Sequence, residues 1–438
     1  MNITESFIDY LYDCETRIDD KHKEKARDCL LDYLGVAYAG AKENGDIGIK
    51  AGDGMCSVLG SRQKTDALTA AFVNGYNAHT VELDDGHRFG AIHLGASIVS
   101  AILAVAQEQH CTMDEMLLGI VIGYEAAVRC GFSMQPGHKK HGYHTSGTCG
   151  TIGAAAGIAF MLHYGREQLK STISGAATSA AGLLEIQEDS SKMKPYNLAH
   201  AAMSAVMAAK LGWTAPTPPD DILGGSRGML RKLSDTFSEE KLLEETGYLE
   251  IERIYVKPYA ACRHCHPAME AVLAIRDEYK VLADVIERIE VYTYDLAVKG
   301  HDHTIIQGTQ SAKLSMPFSV ATAYITQDGG LDAFSDNRLS DTKILDLTKK
   351  VSVTANEEFT KLSPGKRVSE VHVLANGEEY VRRVDYAKGD PENPMSRVEI
   401  KNKFIRLMKW AGRTETGNKI LYVFESNKIN AEELFNQI

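Results

Sequence analysis

Four short segments of this chain carry side chains that move protons or hold carboxylates. The segments span residues 82–93, 142–147, 192–195 and 257–266. Histidine and aspartate act as general acids and bases, and a lysine ammonium stabilises a carboxylate or an enolate-like intermediate. The sequence contains no phosphate-binding loop, and Ser146 lacks the strand–turn–helix setting of a hydrolase nucleophile. The pattern therefore indicates acid–base chemistry on a small anion.

The first segment combines two adjacent carboxylates with two histidines. Asp84 and Asp85 repel each other when both are ionised, so one of them is a candidate acid or base with a raised pKa. His87 and His93 add imidazoles that titrate near neutrality. The alternative is an acidic loop that caps the next helix.

The second and third segments offer cationic and anion-binding groups. His144 stands just before a Gly/Thr/Ser-rich stretch that opens an Ala-rich helix, and unpaired N–H groups at a helix start favour negative charge. Lys192 and Lys194 lie beside Pro195 and are candidate partners for a substrate carboxylate. The alternative for both segments is a solvated basic surface.

The fourth segment contains Cys262, Cys265 and His266 in the C-x-x-C-H spacing of c-type haem attachment. That attachment is typical of exported proteins, and the polar, acidic N-terminal segment shows no secretory signal. A zinc site lacks a second cysteine pair at finger-like spacing, although distant histidine ligands stay open. The remaining interpretations are an active-site loop in which His264 or His266 is the acid or base, and a packed loop with two buried thiols.

Composition restricts the class of protein. A chain of 438 residues with 44% hydrophobic and 24% charged residues is typical of a globular protein of two or three domains. The net charge of -11 argues against nucleic acid and acidic membranes as partners. The longest apolar stretches, 96–106 and 116–124, are too short or interrupted to span a bilayer, so we expect a cytoplasmic location. Eight cysteines in a chain of this size favour free thiols.

Hydrophobic periodicity divides the chain into a part that is predicted to be helical and a part that is predicted to contain strands. The first 215 residues predict one helix after another, at 23–39, 67–79, 96–107, 114–128, 151–162 and 199–211. Residues 288–294 and 351–355 alternate like strands, and 368–374 and 379–384 flank Asn376 and Gly377 as a hairpin. Helical spacing returns at 398–410. We therefore predict a mostly α fold: a large all-helical domain with an inserted smaller α+β domain, which the last helices rejoin.

Taken in their order along the chain, the segments resemble those of the MmgE/PrpD family. Residues 82–87 are similar to the family's L-D-F-D-D-T-H, and 93–95 to its following H-P-G. Residues 142–150 resemble G-x-H-x-T-x-x-x-G, and 192–195 resemble the family's lysine-bearing loop. Residues 257–267 resemble K-P-Y-P-x-C-x-x-x-H-P, and 388–394 read K-G-D-P-E-N-P intact. The likeness covers nearly the whole chain.

The resemblance implies an architecture and an assembly. A helical domain would comprise residues 1–258 and 395–438, and an α+β lid domain residues 259–394. The protein would be a homodimer that needs neither a metal nor an organic cofactor. Its partner would be a small anionic carboxylate substrate, with no nucleic acid and no membrane bound.

The resemblance also implies site residues. The catalytic groups would be Asp84, Asp85, His93, Tyr143, His144, Lys194 and His266. Tyr143 is included because an epimerase of the family uses a tyrosine beside the equivalent histidine. The substrate-binding groups would be His87, Lys192, Lys257 and His264.

The implied activity is that of a cofactor-independent lyase, which abstracts a proton alpha to a carboxylate of a small di- or tricarboxylate. It would resemble 2-methylcitrate dehydratase or cis-aconitate decarboxylase. The alternatives are an isomerase similar to iminodisuccinate epimerase and a non-catalytic carboxylate-binding protein. Four departures from the family pattern leave the substrate open: Gly86 replaces a frequent Thr, Leu94 a Pro, Phe318 a Tyr and His200 an Arg.

Overall fold

The computed structural model describes residues 2–49, 52–188, 191–426 and 430–438, which form two compact units. Unit 1 consists of residues up to 188, 192–254 and 396–438, and unit 2 is essentially residues 255–395. The predicted mostly α fold class is confirmed, since helices dominate and the sheets are small. The role of the smaller part as a lid stays a prediction.

Unit 1 begins with a succession of helices and one minimal hairpin. Its elements are α1 (Ile3–Thr16), α2 (Asp20–Asn44), β1 (Cys56–Ser57), β2 (Lys64–Thr65), α3 (Ala67–Thr80), α4 (Gly95–Gln109), α5 (Met113–Met134), α6 (Gly137–Lys140), α7 (Thr145–Met161), α8 (Arg166–Ser179), α9 (Pro195–Gly212), α10 (Met229–Leu233) and α11 (Glu239–Leu243). Side-chain caps explain several of the starts. Asp19 caps α2 and Thr112 caps α5, each in a reciprocal capping box.

Helices α7 and α9 begin several residues earlier than hydrophobic periodicity predicts. Helix α7 starts at Thr145 rather than at 151, directly after His144, as the Gly/Thr/Ser-rich stretch there indicated. Helix α9 starts at Pro195 rather than at 199. The first turns of α7 are rich in Gly, Ser and Thr, which form helices poorly in isolation. All seventeen residues of α7 are buried, so tertiary packing outweighs the weak propensity there.

Helices α5 and α7 approach each other through glycines. A Cβ at Gly153 would lie 2.4 Å from the backbone oxygen of Gly123, and one at Gly157 would lie 2.5 Å from that of Gly119. Such contacts are possible only without side chains, so the two backbones touch directly. Because α7 begins directly after His144, this contact helps to fix where that histidine lies.

Helix α5 corrects one expectation. The apolar stretch at 116–124 belongs to a helix of 22 residues, which among the described residues is the one helix long and apolar enough to cross a membrane. That length differs from the sequence prediction because the helix continues through less apolar residues up to Met134. Of its most apolar window, 89% is buried inside the protein, as in the core helix of a helical domain.

Unit 2 is an α+β unit. Its elements are α12 (His266–Tyr279), β3 (Ile286–Thr293), α13 (Asp295–Val298), α14 (Thr309–Leu314), α15 (Met316–Thr326), α16 (Asp336–Leu339), α17 (Thr342–Thr348), β4 (Val351–Ala355), α18 (Glu357–Leu362), β5 (Ser369–Ala375) and β6 (Glu378–Val384). The strand order is β4-β3-β5-β6, with β3 parallel to β4 and antiparallel to β5. Helix α12 packs against β5 and β6. The predicted hairpin is confirmed, since Asn376 and Gly377 both have positive φ between β5 and β6.

The chain then returns to unit 1 with α19 (Arg397–Trp410), α20 (Thr414–Glu425) and α21 (Ala431–Phe435). Helix α19 packs on α2, and Lys403 forms a buried ion pair of 2.6 Å with Asp32. The same ammonium donates to the backbone oxygen of Leu83 at 2.8 Å. The last part of the chain therefore supports the loop that carries Asp84.

We expect Gly153→Ala to destabilise unit 1. The new methyl group would meet Gly123 O at 2.4 Å and Ala127 Cβ at 2.6 Å, and overpacking of this kind costs about 1–3 kcal/mol. Urea unfolding followed by circular dichroism measures the change. Gly247→Ala is the matched control, because a Cβ there meets nothing within 4 Å. Equal unfolding midpoints for the two variants would contradict a tight α5–α7 contact.

Candidate active site

The loop between α3 and α4 gathers a cluster of acidic and imidazole groups in unit 1. Asp84 accepts a hydrogen bond of 2.7 Å from His79 Nδ1, and His93 Nδ1 lies 3.5 Å from the same carboxylate oxygen. The two imidazole rings are 4.9 Å apart between centroids. Asp84 and His79 are buried, whereas the side chain of His93 is 17% exposed. One carboxylate thus orients two histidines, of which His93 is the more accessible.

The contacts of His93 define its tautomer. Nδ1 lies 2.9 Å from the backbone oxygen of Asp85, and a carbonyl oxygen only accepts hydrogen bonds. Nδ1 therefore carries the proton, and in the neutral ring Nε2 carries the lone pair. This is the form that takes up a proton, and the adjacent Asp84 carboxylate stabilises the imidazolium that results.

Lys194 joins the cluster through Glu82. The ammonium at the start of α9 is 2.5 Å from Glu82 Oε1, and that oxygen is 3.8 Å from His79 Nε2. The Lys194 side chain is 17% exposed and that of Glu82 is buried. Glu82 has a φ of 57°, a left-handed conformation that costs a non-glycine residue roughly 1–3 kcal/mol. Strain of this size indicates that the surrounding structure holds Glu82 in place.

His144 occupies the N-cap position of α7, without a side-chain capping bond, and is held by Asn197. The Asn197 amide nitrogen lies 3.0 Å from His144 Nδ1 and 3.2 Å from the backbone oxygen of Leu183. The carbonyl oxygen fixes that amide group as a donor, so His144 Nδ1 accepts and Nε2 carries the proton. Burial lowers the pKa of His144 well below its usual value, and the charges of Lys194, His79 and His93 lower it further. His144 is thus a neutral imidazole whose proton is on Nε2.

Asp85 has a different role from Asp84. Its Oδ1 accepts from the backbone N–H of Gly95 at 2.8 Å, and its Oδ2 accepts from Tyr124 Oη at 2.6 Å. Burial raises the pKa of Asp85 to about 6, although both hydrogen bonds lower it. The predicted raised pKa in the Asp84–Asp85 pair thus falls on Asp85. Because both oxygens are used to anchor the start of α4, the geometry favours a structural role over the predicted catalytic one.

His87 faces a separate buried network. Its Nε2 is 3.1 Å from Glu250, and its Nδ1 accepts from the backbone N–H of Gly90 at 3.1 Å. Glu250 in turn lies 3.4 Å from Arg129, which pairs with Glu125 at 2.9 Å. With both nitrogens engaged and the ring 1% exposed, His87 is not among the groups that the structure brings together around Asp84.

Two further predicted residues lie near these helix starts. Tyr143 precedes His144, pairs by a backbone bridge with Leu183 and has its ring 5.4 Å from that of His138. Its side chain is half-buried. Lys192 is exposed, and its backbone oxygen accepts from Tyr76 Oη at 3.3 Å. Neither residue has a described contact with the Asp84 cluster, and their predicted roles stay predictions.

The remaining predicted residues belong to unit 2. Lys257 is fully buried. His266 is buried as well: Arg263 donates to its Nδ1 at 2.8 Å, and its Nε2 donates to the backbone oxygen of Ala261 at 3.1 Å. Both nitrogens therefore serve internal hydrogen bonds, which is typical of a structural histidine. His264 is half-buried and lies 2.5 Å from Tyr294 Oη through Nδ1.

Three members of the unit 1 cluster are absent from the predicted site residues. They are His79, Glu82 and Asn197. His79 lies at the C-terminal end of α3, where sequence alone shows an ordinary helical residue. The sequence feature that could have identified His79 is its position three residues before Glu82 and five residues before Asp84. Asn197 lies one helical turn after Lys194, and its link to His144 spans 53 positions.

Two groups of described residues have the composition and proximity of metal ligands. One is His79, Asp84 and His93, and the other is Cys262, His264 and His301. In each group one donor atom per residue lies within 4.8 Å of the others. In the first group the carboxylate is already hydrogen-bonded to His79. All eight cysteines are thiols rather than disulfides, as predicted.

Comparison with known proteins agrees with the motif resemblance. A family model described as the MmgE/PrpD N-terminal domain matches residues 6–241, and one described as the MmgE/PrpD C-terminal domain matches residues 259–426. Cis-aconitate decarboxylase of Aspergillus terreus (strain NIH 2624 / FGSC A1156) is 23% identical over 412 residues, covering 87% of this chain and 84% of that protein. Cis-aconitate decarboxylase-like protein oryM of Aspergillus oryzae is 25% identical over 417 residues, covering 88% and 86%. Cis-aconitate decarboxylase of Mus musculus is 22% identical over 426 residues, covering 92% and 86%.

Asp85→Asn tests the structural role of Asp85 through the pH dependence of stability. A pKa of about 6 exceeds the ordinary value of 3.8, so between these values the folded chain binds more protons than the unfolded one. Stability therefore falls as pH rises from about 4 to 6, by about 3 kcal/mol for two pKa units. Asparagine keeps both hydrogen bonds by donating to Tyr124, so the variant should lack this decline.

The measurement is the free energy of unfolding in urea at several pH values between 4 and 7, for the wild-type protein and for Asp85→Asn. Titrating groups that both proteins share cancel when one free energy is subtracted from the other. Parallel curves would contradict a raised pKa at Asp85.

Asn197→Asp tests the protonation of His144. In the wild-type protein we expect Nε2–H throughout the range in which an ordinary histidine titrates, because Nδ1 accepts from Asn197. An aspartate at 197 accepts instead, so the proton moves to Nδ1 and the pKa of His144 rises. Nitrogen chemical shifts of ¹⁵N-labelled histidine distinguish the two forms, with His144→Gln to assign the signal. An Nδ1–H form in the wild-type protein would disprove that the Asn197 amide donates to His144.

Proposed function

The chain belongs to the MmgE/PrpD family, and we propose that it is a lyase acting on a small di- or tricarboxylate. The observation that carries the proposal is the cluster of unit 1. It joins an ammonium and a histidine oriented as a base around two buried carboxylates. The charges of Lys194 and His93 act on a second histidine, His144, whose proton is on Nε2. These are the groups that proton transfer beside a carboxylate requires.

Substrate binding is proposed to use Lys194, His144 and the start of α7. Lys194 carries a positive charge, and His144 offers the N–H of Nε2. The first N–H groups of the 17-residue helix α7 follow directly after His144, at the positive end of the helix dipole. In the free protein Glu82 holds the ammonium in position, so a substrate carboxylate would meet an oriented cation.

The proposed chemistry passes through an enediolate-like state. In decarboxylation the C–C bond to the leaving carboxylate breaks, its electron pair spreads onto the remaining acid, and CO₂ departs. Protonated His93 then returns a proton to carbon. In dehydration neutral His93 removes the proton alpha to a carboxylate, and the β-hydroxyl leaves with a proton from an acid. Lys194 stabilises the developing negative charge in both cases.

Decarboxylation is the first candidate reaction, and cis-aconitate is the first candidate substrate. The names of three relatives, which are 22–25% identical to this chain, support this choice. Phe318 stands where some family members carry a tyrosine, so a phenol donor of a decarboxylase site would be missing here. Dehydration therefore stays a candidate reaction. The cluster's own groups supply the proposed acid–base steps without an organic cofactor. We further propose a cytoplasmic homodimer.

Epimerisation is the second candidate, and one observation favours it. His93 offers a lone pair at Nε2, whereas His144 offers a proton at Nε2. Removal of a proton from one face of a carbon and delivery to the other face needs such a complementary pair. The same pair serves a lyase, so the products must distinguish the two reactions.

Incubation with cis-aconitate and other polycarboxylates in D₂O, followed by NMR, tests these proposals. Release of CO₂ with deuterium at the new C–H bond supports decarboxylation, and loss of water from a hydroxy acid supports dehydration. Exchange at the carbon alpha to a carboxylate in an intact, inverted skeleton supports epimerisation. Binding of these acids without any exchange or conversion would contradict an enzymatic role and favour a carboxylate-binding protein.

We expect Lys194→Met to lower kcat by about 10²–10³-fold, because it removes the charge that stabilises the enediolate-like state. His93→Gln should lower kcat by about 10²–10⁴-fold through loss of the acid–base group. Steady-state rates with the identified substrate measure both. Lys210→Met is the matched control, since Lys210 lies on the same helix α9 in an exposed pair with Glu108. Normal turnover in Lys194→Met and His93→Gln would refute the site.

A further inference from the structure

Three side chains of unit 2 with metal-binding chemistry converge outside the cluster around Asp84. Cys262 and His264 flank Arg263 in the 3₁₀ turn that precedes α12, and His301 lies in the loop between α13 and α14. All three are half-buried, and one donor atom of each lies within 4.8 Å of the others. The sequence shows no second cysteine pair near this loop, and distant histidine ligands stayed open. In the folded protein His301 is such a histidine.

The spacing of the donor atoms suits a tetrahedral ion. Cys262 Sγ is 3.7 Å from His301 Nε2. In a tetrahedral zinc site, bonds of about 2.3 Å to sulfur and 2.0–2.1 Å to nitrogen place these two atoms roughly 3.5 Å apart. The rings of His264 and His301 are 5.3 Å apart between centroids and inclined by 31°. An ion can therefore enter with small side-chain adjustments.

The surroundings orient one of the ligands. His264 Nδ1 lies 2.5 Å from the phenol oxygen of Tyr294, a fully buried residue. Metal-bound histidines almost always use their second ring nitrogen in a hydrogen bond of this kind, which fixes the ring and the tautomer. With Nε2 of His264 on the metal, Nδ1–H donates to Tyr294. The phenol thus has the position of a supporting residue.

The two cysteines of this loop differ in exposure. Cys262 is the one cysteine of the eight that is not buried, whereas Cys265 is fully buried, with its sulfur 3.9 Å from the backbone oxygen of Leu314. Cys262 is therefore the thiol that an ion can reach.

We propose that Cys262, His264 and His301 bind a zinc ion and leave its fourth coordination position to water or a small ligand. A thiolate with two imidazoles selects zinc over magnesium or calcium, which prefer oxygen ligands. Binding converts the Cys262 thiol to a thiolate, so one proton is released as the sulfur–zinc bond forms. The proposal depends on unit 2 alone and is independent of the reaction proposed for unit 1.

The test uses the full-length protein after treatment with a chelator. Calorimetric titration with Zn²⁺ should give one ion per chain, and Co²⁺ should give the sulfur-to-cobalt charge-transfer absorption of a thiolate ligand. Cys262→Ser should abolish that absorption. Each of the single variants Cys262→Ser and His301→Ala should weaken Zn²⁺ binding by about 100-fold or more. Tyr294→Phe keeps all three ligands and should weaken binding by about 10–100-fold.

Three controls separate this site from the alternatives. His93→Gln removes a ligand of the other candidate group and should leave the stoichiometry unchanged. His372→Gln removes a partly exposed histidine of β5 in the same unit and should also have no effect. Circular dichroism verifies the fold of each variant. Zinc binding that survives Cys262→Ser and His301→Ala, that disappears in His93→Gln, or that is not saturable in the wild-type protein would overturn the proposal.

Discussion

The segment between α3 and α4 buries three carboxylates within four residues, and a buried charge must be compensated where it lies. The compensating contacts are Lys194 to Glu82, His79 to Asp84, and Tyr124 with the Gly95 N–H to Asp85. These partners come from α9, α3, α5 and α4. The loop can therefore adopt its conformation only when the four helices are assembled, and the arrangement of the candidate active site is a direct consequence of helix packing.

The same compensation sets the two histidines in opposite states. The backbone oxygen of Asp85 accepts from Nδ1 of His93, so Nε2 of His93 carries a lone pair. The amide of Asn197 donates to Nδ1 of His144, so Nε2 of His144 carries the proton. Neither state is a property of histidine itself, since the isolated side chain exists in both forms. Each is imposed by a neutral backbone or amide group. The two imidazoles thus have complementary tautomers in the free protein.

Local patterns in the sequence were sufficient for the fold class, the hairpin at Asn376 and Gly377 and the family. They did not show which contacts burial and distant partners give to each predicted side chain. Adjacent aspartates look equivalent in sequence, yet Tyr124 and the start of α4 make Asp85 an anchor. His87 and His266 match motif positions but have both nitrogens engaged, whereas His79 matched none and is central. Propensity alone also placed the start of α7 too late, because weak helix formers are held there by close packing.

The pair formed by Asp32 and Lys403 joins residues that lie 371 positions apart, with the whole of unit 2 between them. A ribosome adding about 5–20 residues per second needs roughly 7–30 s to pass from Ile254, the last residue of unit 1 before the main part of unit 2, to this lysine. During that interval Asp32 and the backbone oxygen of Leu83 lack their ammonium, and the surface of α2 that α19 will cover is open. We therefore expect chaperones that bind the nascent chain to contact the face of α2 that α19 later covers.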